Sequence, residues 1–104
     1  MKKEETYMLS QTEILSSLNT YKNRYKNTYG IEKIGIFGSY ANNTATEKSD
    51  IDVFITLKHS NLFLLSKIRI ELEELFGKHT DLVQLRDKMN LYLKKHIEKE
   101  AISA

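Results

Sequence analysis

Ile34-Gly35-Ile36-Phe37-Gly38-Ser39, then ten residues, then Asp50-Ile51-Asp52-Val53-Phe54-Ile55-Thr56-Leu57: the fold is decided in this stretch. The first part is a short apolar run ending in glycine, the mark of a buried strand entering a tight turn. In the second part, Ile51, Val53, Ile55 and Leu57 share one face by strand periodicity. Asp50, Asp52, Phe54 and Thr56 share the other. Carboxylates at i and i+2 on a strand point the same way, about 6.6–7 Å apart along the backbone. A Gly-Ser turn can hold a phosphate with backbone N–H groups. Together the two halves suit a nucleoside triphosphate and its cations. A third acid, Asp81, lies in Thr80-Asp81-Leu82-Val83-Gln84-Leu85, a segment of strand character short enough to lie beside the second strand.

Three acids on neighbouring strands suit hard cations. Magnesium prefers carboxylate oxygens together with substrate phosphates. Two ions about 3.5–4 Å apart can clamp the attacking and leaving oxygens of an in-line displacement. Asp50 and Asp52 would bridge both ions, and Asp81 would hold the ion that lowers the pKa of the attacking hydroxyl.

The motif Ile36-Phe37-Gly38-Ser39-Tyr40-Ala41 through Ser49-Asp50-Ile51-Asp52-Val53, followed by Asp81, resembles the minimal nucleotidyltransferases of the DNA polymerase β-like superfamily. Their pattern is Gly-Ser, ten residues, Asp-x-Asp, then a later Asp on a strand. The likeness runs from about Ile14 to Ala101. It implies Mg²⁺-dependent transfer of a nucleotidyl group, usually AMP from ATP, to a hydroxyl. It implies two Mg²⁺ ions with bound ATP, with Mn²⁺ as a substitute. It also implies a protein partner of the HEPN toxin type, with this chain as the antitoxin. On this resemblance Asp50, Asp52 and Asp81 are the catalytic and metal-binding residues, and Gly38 and Ser39 bind the nucleotide. The chain departs from the family at Ala41-Asn42-Asn43, where Ala-Arg-Gly is common. An arginine that could touch phosphate is missing, whereas asparagine tolerates the left-handed backbone that glycine would adopt there.

Composition bounds the rest. At 104 residues the chain is one domain with room for a single core. Its 40% apolar and 29% charged content is that of an ordinary soluble protein. A net charge of +2 is too small to argue for nucleic acid, which is not expected as a direct substrate. With no cysteine, disulfides and thiolate metal sites are excluded. No apolar stretch after Met1-Lys2-Lys3-Glu4-Glu5 suits a signal peptide. The run Leu62 to Leu65 is too short for a membrane span, so a cytoplasmic location is expected.

The remaining segments read as helices. Ser10-Gln11-Thr12-Glu13 matches a capping box, Ile14, Leu15, Leu18, Tyr21, Tyr25 and Tyr29 follow at helical spacing, and Gly30 ends the helix. A second helix is expected from Ser60, with Leu62, Leu65, Ile68, Leu72 and Leu75 inward, stopping near Gly77. A third is expected from about Asp87, with Met89, Tyr92, Leu93, Ile97 and Ala101 on one face. The order is helix, strand, short loop-helix, strand, helix, strand, helix. That is an α+β fold, a small mixed sheet flanked by helices. Residues 1–9 are expected to fray as a flexible N-terminus, and residues 10–104 to form the single nucleotidyltransferase domain.

Each feature has an ordinary rival. A Gly-Ser turn is usually only a turn, an Asp-x-Asp is often a solvated face, and Ser39 could be a cap. His59, His79 and His96 fit no metal spacing and read as surface or partly buried structural residues. The tyrosine stripe reads as core or partner packing. Glu71, Glu73 and Glu74 read as the wet face of a helix. Lys94, Lys95 and Lys99 read likewise, with a phosphate or RNA contact left open. The acceptor is expected to be a protein hydroxyl, because little chain remains to build an acceptor pocket. The alternatives are a binding antitoxin that neutralises its partner by covering it, and transfer to a small-molecule hydroxyl. Homo-oligomerisation is left open.

Overall fold

The computed structural model describes residues 8–104. Three helices, α1 (Gln11–Tyr29), α2 (Leu62–Phe76) and α3 (Leu91–Glu100), surround four strands: β1 (Ile31–Phe37), β2 (Ile51–Leu57), β3 (Thr80–Gln84) and β4 (Ile102–Ser103). The sheet order is β3-β2-β1-β4. β1 runs antiparallel to both β2 and β4, whereas β2 and β3 are parallel, joined across one face by α2. The sheet is therefore mixed, as the sequence predicts.

Local signals set the helix ends. The Ser10 hydroxyl accepts the Glu13 N–H at 3.0 Å, and the Glu13 carboxylate accepts the Ser10 N–H at 2.8 Å. These two bonds satisfy N–H groups that a helix start leaves without partners. α1 ends at Gly30 (φ +69°) and α2 at Gly77 (φ +64°), both in the left-handed conformation that glycine adopts at little cost.

The core lies on one face of the sheet. Ile51, Val53, Ile55 and Leu57 of β2 and Ile31, Ile34 and Ile36 of β1 pack against Ile14, Leu18 and Tyr21 of α1 and Ile68 and Leu72 of α2. Each such fully buried aliphatic side chain contributes on the order of 1.5–3 kcal/mol. The other face is covered in part by α3, whose Ile97 is buried. There the Phe54 ring and the Ile102 carbonyl fill the space that a side chain at residue 35 would need, which is why Gly35 sits in the middle of β1.

Several expectations are corrected. Residues 38–43 form consecutive turns, not a short helix. α2 begins at Leu62, because the Asn61 carbonyl oxygen of the side chain accepts the Leu64 N–H at 2.8 Å and caps it there. α3 begins at Leu91, capped in the same way by Asn90. Leu62, Leu75 and Tyr92 are exposed, Tyr92 at 87%, because the sheet is too narrow to cover both ends of α2 and α3. The two-residue β4 carries no periodicity by which it could be recognised. The tyrosine stripe does pack against the core. Of the acids assigned to a wet face, Glu71 accepts hydrogen bonds from the hydroxyls of Tyr21 (2.7 Å) and Tyr29 (3.0 Å), bracing α2 to α1. Of the nine residues expected to fray, 1–7 lie outside the described residues, and Leu9 packs against the core.

Candidate metal and nucleotide site

Strand pairing assembles the site. Asp52 lies opposite Phe37 on the antiparallel side and opposite Asp81 on the parallel side. The first pairing brings the Gly38-Ser39 turn, which follows Phe37, against Asp52. The second sets Asp81 beside it. Asp50 precedes β2 and is exposed, as is Asp81, while Asp52 is half-buried between its neighbours. All five residues singled out in the sequence are thus gathered at one end of β1, β2 and β3.

Gly38 has φ +73°, and a Cβ there would strike the Asp52 carboxylate. Both conditions call for glycine. The loop beyond folds back on itself: the Asn42 N–H donates to the Gly38 carbonyl at 3.0 Å and the Thr44 N–H to the Ser39 carbonyl at 2.9 Å. Asn43 has φ +60°, the left-handed conformation that the sequence departure requires asparagine to take. From the first turn of α1, the Gln11 amide donates to the carbonyls of Tyr40 (3.0 Å) and Ala41 (3.1 Å). That clamp joins segments 29 and 30 residues apart, and no sequence pattern announces it.

The electrostatics are those of crowded acids. Burial first, then the charge and hydrogen bonding of Asp81 and the charge of Asp50, push the Asp52 carboxyl from 3.8 up to about 6. A divalent cation would relieve that repulsion, and an all-oxygen donor set of this kind fits Mg²⁺. The residues present therefore suit the implied metal.

His79 is exposed, in keeping with its reading as a surface residue, but it stands beside the acids. The Ile51 N–H donates to the His79 carbonyl at 3.1 Å, extending the β2–β3 ladder by one step. The His79 Nδ1 thereby comes 3.3 Å from an Asp50 oxygen and 3.9 Å from an Asp81 oxygen. Its one signal in the sequence is its place two residues before Asp81, which on a strand means the same face. Glu73, the other acid misread as a wet-face residue, accepts the Thr80 N–H at 3.1 Å and an Arg69 N–H at 3.1 Å, and those bonds hold its carboxyl below the usual range. A cavity of about 790 Å³ opens on the same sheet face as Asp52, toward the other end of β2, where Phe54, Thr56, Arg86 and Lys94 line it.

The family model for the nucleotidyltransferase domain matches residues 18–104. A Methanocaldococcus jannaschii protein provisionally named a protein adenylyltransferase is 38% identical over 97 residues, covering 91% of this chain and 98% of its own. The protein adenylyltransferase MntA of Thermococcus cleftensis is 35% identical over 77 residues, 73% of this chain and 78% of that protein. Among solved structures, one provisionally named a minimal nucleotidyltransferase superposes with a TM-score of 0.67 at 25% identity, over 85% of this chain and 93% of that one. A toxin–antitoxin structure with AMP-PNP superposes with a TM-score of 0.70 over 86% of this chain and 72% of that one. Its 22% identity makes it a likeness of fold.

Proposed function

The chain belongs to the nucleotidyltransferase domain family and is a nucleotidyltransferase, and from that premise we propose that it transfers AMP from ATP, with Mg²⁺, to a hydroxyl of a protein partner of the HEPN toxin type. One observation carries the reading: Asp52 lies against the Gly38-Ser39 turn, with no room for a side chain between Gly38 and its carboxylate, and Asp50 and Asp81 stand beside it. In the reaction, the acceptor oxygen forms a bond to the α-phosphorus. The bond from that phosphorus to the bridging oxygen breaks, pyrophosphate leaves, and the hydroxyl proton is released. Gly38 and Ser39 would cradle the phosphates through backbone N–H groups. Asp50 and Asp52 would hold the cations on the nucleotide side, and Asp81 on the acceptor side. Bound there, Mg²⁺ would neutralise phosphate charge and favour ionisation of the acceptor hydroxyl.

A protein acceptor is supported by the exposure of Asp50 and Asp81, which leaves that side of the site for another surface to complete. Relatives named protein adenylyltransferases, and neighbours solved as toxin–antitoxin complexes, support the same reading. Crowded acids that cost stability without a cation count against a purely covering antitoxin. Incubation with α-labelled ATP, Mg²⁺ and lysate of the host cell should label a protein band. Label in a small molecule would move the acceptor to that class. No label, together with stable capture of a partner, would replace transfer by covering.

A further inference from the structure

We propose that His79 is a further metal ligand, and that with it Asp50 and Asp81, which would hold Mg²⁺ when nucleotide is bound, take a borderline transition ion such as Co²⁺ or Zn²⁺ in the nucleotide-free protein. One donor atom from each residue lies within 4.8 Å of the other two. Donors that share one ion at about 2.0–2.2 Å stand roughly 3.0–3.6 Å from one another in tetrahedral or octahedral arrangements. The Nδ1–Asp50 edge, at 3.3 Å, already meets that spacing, and the Nδ1–Asp81 edge, at 3.9 Å, nearly does. The Asp50–Asp81 edge lies within 4.8 Å, and because all three side chains are about half exposed they are free to rotate toward a shared ion.

The donor set decides the ion. Carboxylates alone suit Mg²⁺, whereas an imidazole nitrogen suits Zn²⁺ and its transition-series neighbours. The ring is also oriented for the task. With Nδ1 turned to Asp50 and Asp81, Nε2 lies 3.9 Å from a Glu73 oxygen, too far for a hydrogen bond but within reach of one on a small turn of the ring. Glu73 is itself held in place by the Thr80 N–H and Arg69. A histidine on a metal commonly gives its second N–H to such a carboxylate, which fixes the tautomer and raises the basicity of the ligating nitrogen.

The inference takes its location from the transferase reading, but its test uses metal alone. Metal-free protein is titrated with Co²⁺ by visible absorption and calorimetry, with Zn²⁺ and Mg²⁺ as competitors. Wild type is expected to bind Co²⁺ more tightly than Mg²⁺ and to release it to Zn²⁺. His79→Gln should lose roughly tenfold or more in Co²⁺ affinity with its Mg²⁺ affinity held, and Glu73→Gln about 10–100-fold, as removal of an outer-shell partner does. Independently of any variant, Zn²⁺ should shift the ring nitrogen resonances of His79 in wild type. Co²⁺ binding no tighter than Mg²⁺, Co²⁺ affinity unchanged in His79→Gln, or an unmoved His79 ring would each overturn the proposal. AMP transfer with Mg²⁺, measured separately, distinguishes failure of this proposal from failure of the transferase reading.

Discussion

Asp52 sits between two demands. Its carboxylate would need to be charged to hold the proposed cation, yet burial and the neighbouring acids raise its pKa from 3.8 to about 6. The consequence for stability follows from linkage. A carboxyl whose pKa is higher folded than unfolded binds its proton more tightly in the folded state. Its contribution is therefore most favourable below 3.8 and is lost as pH rises through about 6. Without metal, unfolding temperatures measured between pH 4 and 7 should show that loss in wild type. Asp52→Asn, which cannot ionise, should flatten this part of the profile and melt at the same or a higher temperature near pH 7. An unchanged profile would mean that Asp52 is not under strain. The common face of Asp50 and Asp52 is legible because their spacing is itself a strand pattern, and the place of Asp81 because its own segment reads as a neighbouring strand. His79 is not, because its nearness to Asp50 comes from the β2–β3 register, which is absent from the local sequence.

The loop from Gly38 to Thr44 owes its shape to two elements. β1 delivers it against Asp52, and α1 clamps it through Gln11. Each neutral hydrogen bond of this kind contributes on the order of 0.5–1.5 kcal/mol. Gln11→Leu, which keeps the bulk and removes the three bonds that the amide donates to Tyr40, Ala41 and Asn43, should weaken binding of a non-hydrolysable ATP analogue with Mg²⁺ severalfold in calorimetry, while α1 stays folded by circular dichroism. Equal affinity would show that the turn holds itself. The boundaries of α1 were legible because capping box and terminal glycine are local signals. Those of α3 were not, because the Asn90 cap competes with an equally plausible start at Asp87, and Tyr92 lies on an apparent apolar face that the narrow sheet leaves uncovered.

The molecule as a whole is a sheet with one face closed by α1 and α2 and the other partly open above the acids. The closed face is braced where Tyr21 and Tyr29 donate to Glu71. Burial and that carboxylate together lift the Tyr29 hydroxyl to about 12, so both phenols stay protonated donors throughout the neutral range. Glu71→Leu should leave two phenol groups without their acceptor and lower stability by about 1–3 kcal/mol in denaturant unfolding. A neutral result would show that water replaces the brace. The alternation of β2 made the closed face readable, whereas the brace depends on α1 and α2 meeting in space, which periodicity alone does not state. The proposed transfer takes place on the open face. Its most direct measurement is the rate of AMP transfer to the partner by wild type and Asp52→Asn, with thermal unfolding of both recorded alongside. Transfer should fall by at least about 10²–10³, the usual loss on removing one electrostatic stabiliser of a transition state, while stability without metal holds or rises. Normal transfer with lowered stability would contradict the account: the acids would then be structural acceptors, and the chain would act on its partner by covering it.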